Sequence, residues 1–416
     1  MKWGVVLKYL EPYKSCSLFG ALRYFANIKD VVCLVHGPSG CTYFNRSAVL
    51  NMNGYFNAPS KVSIPKIYCT DFDEKDAVFG GQEKIFCASK ELIEKFKPSA
   101  LFIFNCCVSE IIGEDIDDVA ENIFEQYKIP VIPVHSAGFK GDHRYGMRLA
   151  GDLLLDHFMT EKTETVIGKV NVLGEFDYFN RAIIEARNML ELAGAKEISF
   201  IPGKCSISEL KEAPNACLNL ITCQNASRNL AEKMKQKFNI PYLGKVSDFY
   251  GVENCYKIYN QIFDFFQTDK KLVEELYEKS LKDISLLKKQ LCGSTAFVIA
   301  GTRRALGYSQ MLQELGVSVE FLFSECDEEF VKKEQFMKHS SNIMCNEYPD
   351  NIGDMIKQKK PDFILSTLPE LVAPEQSMRR PLTDFAGFYG AVEMGKYLLN
   401  AKKYGYSTAY ALINKR

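Results

Sequence analysis

The chain has 416 residues, 47% of them hydrophobic and 25% charged, which is the profile of a globular protein with two or three domains and substantial cores. Lys and Arg (51) balance Asp and Glu (52), so no strong field draws the chain to nucleic acid or to an anionic membrane. No apolar run approaches the roughly 18 residues of a membrane span, and the start MKWGVVLKYLEPYKSC lacks a signal-peptide pattern, so a cytoplasmic protein with reduced thiols is expected.

In chain order, short apolar β-branched runs alternate with amphipathic stretches. DVVCLVH, PKIYCT, ALFIFN and IPVIPV come first, KVNVLGE, EISFIPG and CLNLITC next, and TAFVIAG, VSVEFLF and DFILST last. Between them, NRAIIEARNMLELAGA and ASRNLAEKMKQKF carry apolar residues at helical spacing. This alternation predicts an α/β protein of three Rossmann-like domains, each a mostly parallel sheet flanked by helices. The polar TEKTETVIGK and the charged helix LVEELYEKSLKDISLLKKQL mark the breaks, giving a cluster-binding domain over 1–165, a second over 166–292 and a third over 293–416.

Fourteen cysteines are present, yet no CxxC pair, which removes compact zinc and ferredoxin-type sites. Any metal site must be assembled from distant segments. In open α/β sheets, ligands sit beyond the carboxyl ends of strands, which selects three thiols of the first domain. Cys16 lies in SCSLFGA, Cys41 follows the first strong strand through HGPSG, and Cys107 follows ALFIFN at a helix entry. Gly37 and Gly40 would admit inorganic sulfide close to backbone N–H groups. Cys33, Cys69 and Cys106 read as small buried core residues. The acids of TDFDEKDAVFGG read as a solvated loop and helix start. Cys223 ends the strand CLNLI and opens a helix, where the dipole favours an anion and suits a thiolate ligand. Ala300 to Gly307, AGTRRALG, leaves its strand as an anion-binding turn would, with Arg303 offering a guanidinium.

CSLFGA, DVVCLVHGPSGC, TDFDEKDAVFGGQEKI and CCVSEIIGEDI, in that order, resemble the signatures of the nitrogenase component 1 superfamily, and the resemblance runs on through KVNVLGEFD, CLNLITCQNASRNLAEKMKQKFNIPYL and FVIAGTRRALG. It implies that Cys16, Cys41 and Cys107 bind an iron–sulfur cluster, [4Fe-4S] or larger, at the junction of two subunits, with Gly40 close to it. A homodimer or a heteromer with a related chain follows. The resemblance also makes Cys223 the thiol that anchors a second, complex metallocluster, with Gly301 and Arg303 against that anionic group. Two histidines of the dinitrogen-reducing subunits have no counterpart: PELVAPEQSMRRPLTDFAGFYG contains none, and Arg148 stands where another would be.

The expected function is therefore a nitrogenase-like oxidoreductase subunit that does not reduce dinitrogen. It would take electrons from a separate ATP-dependent iron–sulfur reductase, since the chain has no GxxxxGK[ST] stretch. The rival readings are a non-catalytic scaffold for assembly of an iron–molybdenum-type cofactor, and a tetrapyrrole reductase subunit. Cys223 without a histidine partner, and DFYGVEN, favour the scaffold.

Overall fold

The computed structural model describes residues 15–52, 64–176, 181–245, 247–324, 343–345, 352–366 and 385–414. The histidine-free segment at 367–384, along with His339 and Cys326, lies outside them.

The first unit runs α1 (Ser17–Phe25), β1 (Val31–His36), α2 (Ser39–Met52), β2 (Ile67–Cys69), α3 (Glu74–Phe79), α4 (Gln82–Phe96), β3 (Ala100–Asn105), α5 (Cys107–Ile111), α6 (Ile116–Tyr127), β4 (Val131–Val134) and α7 (His143–His157). The second runs β5 (Val166–Glu175), α8 (Arg181–Ala193), β6 (Glu197–Pro202), α9 (Ile207–Glu212), β7 (Ala216–Ile221), α10 (Gln224–Phe238), β8 (Tyr242–Leu243), α11 (Val252–Phe266) and α12 (Lys271–Leu291). The third runs β9 (Thr295–Ile299), α13 (Thr302–Glu314), β10 (Ser318–Ser324), β11 (Ile343–Cys345), α14 (Ile352–Lys359), β12 (Phe363–Ser366), α15 (Phe388–Tyr404) and α16 (Tyr406–Asn414). The protein is thus α/β, as its alternation predicts. Part of the expected linker TEKTETVIGK is strand instead, because β5 starts at Val166, ahead of a register irregularity between Val166 and Val170.

Three four-stranded sheets form, in the orders β2-β1-β3-β4, β6-β5-β7-β8 and β11-β10-β9-β12, and every pairing is parallel. Every residue of β1 and β3 is buried, as parallel strands covered on both faces require. Their side chains alternate between two cores. Val31, Cys33 and Val35 with Phe102 and Phe104 face one, and Val32 and Leu34 with Leu101 and Ile103 face the other. Cys106 continues the Phe102–Phe104 face into the first of these cores.

Each strand order reverses at one place, and there the connections leave in opposite directions and open a crevice. In the first sheet it lies between β1 and β3, in the second between β5 and β7, and in the third between β9 and β12. Cys41 follows β1, Cys107 follows β3, Cys223 follows β7 and Arg303 follows β9, so the singled-out residues all sit after strands that flank a switch point.

α1 and α7 pack backbone to backbone. A Cβ at Gly20 would fall 1.9 Å from the His143 carbonyl oxygen, and one at Gly146 would fall 2.0 Å from that of Ser17. This contact fixes the helix that begins beside Cys16.

Candidate functional site

Cys16 is the N-cap of α1, and its segment is tied to the entry of α7 by Ser17 N–H to Gly141 O (3.0 Å) and His143 N–H to Ser15 O (2.8 Å). Cys107 is the first residue of α5. The two meet at Gly138. Its N–H donates to Cys107 Sγ at 3.1 Å, and a Cβ there would stand 3.1 Å from both Cys107 Sγ and Cys16 Cβ. Cys41 lies in the first turn of α2, with its N–H donating to Pro38 O at 3.1 Å. Cys41 and Cys107 are exposed and Cys16 is half-buried.

Cys106, expected to be inert core, is buried but lies beside Cys41. A hydrogen bond from the Cys106 thiol pulls the Cys41 thiol down to about 6, while that bond and burial push Cys106 up. Cys106 also explains Gly37: a Cβ on Gly37 would lie 2.1 Å from Cys106 Sγ, so this glycine admits protein sulfur and not a ligand. Gly40 is exposed, with nothing within 4 Å of a Cβ built on it. Cys69 donates to Gly37 O at 3.2 Å, and Cys33 is buried in the core.

His36 is buried under the same turn. Its Nδ1 is 3.0 Å from Thr70 Oγ1, its ring stands edge-on to Phe72, and burial lowers it to about 4, so it is neutral. The acids of TDFDEKDAVFGG do build a helix start. Asp73 caps α3 reciprocally with Asp76, and Lys84 pairs with both. Asp76 is buried, which the reading as a solvated loop misses. Buried Glu114 accepts the Gly81 N–H and helps line a cleft of about 450 Å³ between the ends of α3 and α5. Val78 and Phe79 at this cleft are exposed, and so are Tyr43 and Phe44, two and three residues past Cys41, and Ile111 at the end of α5.

A second group of residues gathers where β5 ends. Gly174, at φ +91°, has room for no side chain. A Cβ would fall 2.3 Å from Ser227 Oγ and 3.0 Å from Cys223 Cβ. Cys223 is the N-cap of α10 and half-buried. The next residue, Glu175, is buried and pairs with Arg303 at 3.2 Å, and Gly301 is the N-cap of α13 with open space where a Cβ would be. Cys223 and Arg303 thus flank the Gly174–Glu175 strand end. Glu175 and Gly174 are functional candidates that sequence reading missed, although GE at the end of KVNVLGE was the available signal.

Among the described residues, no three His, Cys, Asp or Glu side chains converge to hold a single metal ion. His135 pairs with Asp117 and Glu110, His143 is half-buried at the start of α7, and His157 ends that helix. The donors that are present fit a sulfur-bridged cluster. Thiols are the ligands such clusters use, the Gly138 cradle and its N–H favour sulfur, and an exposed pair of thiols leaves room for ligands from a second chain.

A family model described as nitrogenase component 1 type oxidoreductase matches residues 16–401, and the chain belongs to that family. It is similar to the nitrogenase iron-molybdenum cofactor biosynthesis protein NifE of Rippkaea orientalis, at 27% identity over 412 residues, 92% of this chain and 84% of the relative. It is also similar to the nitrogenase molybdenum-iron protein alpha chain of Methanosarcina barkeri, at 30% identity over 316 residues, 74% of this chain and 59% of the relative. The solved structure "Nitrogenase Cp1 at pH 5" shares the fold, with a TM-score of 0.80 and 24% identity over 96% of this chain and 90% of the other.

Proposed function

We propose that the chain is a scaffold subunit on which a complex iron–sulfur cofactor is built and then handed on. The observation that carries this reading is an anchor of one thiol, Cys223, against Gly174, with Arg303 paired to the next residue of the same strand end, Glu175. One protein ligand plus ion pairing holds an anionic cargo and still lets it leave. Similarity to a cofactor biosynthesis protein across nine-tenths of the chain supports the same reading. Cys16, Cys41 and Cys107 would hold a resident iron–sulfur cluster, which when bound supplies one-electron chemistry at the subunit junction. The exposed aromatic and aliphatic residues beside those thiols would be covered by a related chain, since a patch of this kind marks an interaction surface.

A second reading keeps the chain as an electron-transferring oxidoreductase served by an ATP-dependent iron–sulfur reductase, and the similarity to a molybdenum-iron protein alpha chain favours it. The two separate experimentally. The anaerobically purified complex is mixed with a cofactor-free recipient of the same family, or with the reductase, ATP and candidate substrates, tetrapyrroles included. The scaffold reading expects metal to pass to the recipient and no turnover. Sustained turnover without metal transfer would overturn it.

A further inference from the structure

Tyr24 and Ser227 are both fully buried, at 0% and 1% exposure, and apart from each other neither hydroxyl has a hydrogen-bond partner among the described residues. A buried O–H left without an acceptor costs about 1–3 kcal/mol, and two hydroxyls that bond only to each other leave one such O–H. Ser227 is one helical turn beyond Cys223, on the same face of α10, and both crowd Gly174. The Tyr24 phenol is hydrogen-bonded to Ser227 and lies within electrostatic reach of Cys205, Cys223 and Asp152. Its ring is held edge-on to Phe176 at 5.6 Å, just past Glu175, so it cannot swing to another partner without leaving the core. Tyr24 is eight residues along α1 from Cys16, about 12 Å at 1.5 Å per residue, so one helix reaches both groups of residues.

We infer that Tyr24 and Ser227 form a hydroxyl pair belonging to the Cys223 site, whose O–H groups donate to sulfur, either the Cys223 thiolate or a sulfide of the anionic iron–sulfur cargo. They are positioning residues. This rests on the reading of Cys223 as the cargo's thiolate anchor. A phenol and an alcohol are both protonated at neutral pH, so they offer donors to an anion without adding charge. Sulfide and thiolate are acceptors that would satisfy the O–H this pair leaves unbonded beside a cysteine, and hydrogen bonds to sulfur stabilise its anionic form.

The full-length protein, purified anaerobically and loaded with ferrous iron and sulfide, is challenged with a ferrous chelator, and iron release is followed by absorbance. Cys223→Ala identifies the phase of release that belongs to the second site. Tyr24→Phe, which keeps the ring, and Ser227→Ala are each expected to speed that phase by about five- to tenfold, the loss of one hydrogen bond, and to leave the other phase unchanged. If both variants release iron as the wild type does while Cys223→Ala still removes a phase, the inference fails and the Cys223 anchor stands. Equal acceleration of both phases would place the hydroxyls in the fold and not in the site, and would also overturn it. If Cys223→Ala removes no phase, the anchor reading itself fails, and the inference with it.

Discussion

Gly37 is glycine because the sulfur of Cys106 stands where its side chain would be. Gly37→Ala would put a Cβ 2.1 Å from Cys106 Sγ and 2.6 Å from Cys106 Cβ, an overpacking expected to cost about 1–3 kcal/mol. Cys106→Gly in the same chain should restore most of the denaturant midpoint, and Cys106→Ala less, because its Cβ remains. A midpoint for Gly37→Ala equal to the wild type would refute the packing. From the sequence, HGPSGC is recognisable as a turn that lets something bulky approach, but the bulky partner is another cysteine 69 positions on. Only the pairing of β1 with β3 brings it there. His36 and His143 carry a second residue-scale consequence. Burial holds each at about 4, below the ordinary 6.5, so the folded state binds fewer protons than the unfolded chain. Stability is then fully present above about 6.5 and is lost as pH falls toward 4. Each histidine should contribute about 2 kcal/mol of loss between pH 7 and 5, read from urea midpoints, and His36→Gln should remove roughly half of that slope.

At the scale of elements, the runs of buried β-branched residues that make β1, β3, β5, β7 and β9 are visible in the sequence, and so are the thiols and the arginine that follow them. What is not visible is strand order. The sequence places Cys41 and Cys107 after two strands, and only the order β2-β1-β3-β4 makes those strands neighbours on either side of a crevice. The same holds for β5 and β7, which set Glu175 beside the Cys223 helix and give Arg303 a carboxylate from another unit. This pair links the second sheet to the third. Glu175→Ala removes the carboxylate from a guanidinium whose side chain is only 19% exposed, and should destabilise the cargo-free protein by about 1–3 kcal/mol. Arg303→Ala added to Glu175→Ala should cost less than the two separate losses together, with a coupling of about 1 kcal/mol or more in the double-mutant cycle. Additive losses would mean that the pair holds nothing together.

Across the whole molecule the three sheets do not keep separate cores. One apolar cluster joins residues of the first and second units, such as Phe102 and Ile221, and another joins the second and third, such as Val172 and Val298. The switch-point ends are therefore held in fixed relation, with α1 running from Cys16 to the neighbourhood of Cys223. Cys41 and Cys107 are exposed, with the exposed Tyr43, Phe44 and Ile111 close to them in sequence. The account's central claim is two distinct iron sites on one chain, a resident one at Cys16, Cys41 and Cys107 and a cargo one at Cys223. Iron anomalous scattering from crystals of the anaerobically purified complex tests it most directly. Two separated peaks are predicted, one between Cys16, Cys41 and Cys107 and one beside Cys223 facing Arg303. Iron at neither place in protein that retains its full iron content would contradict it.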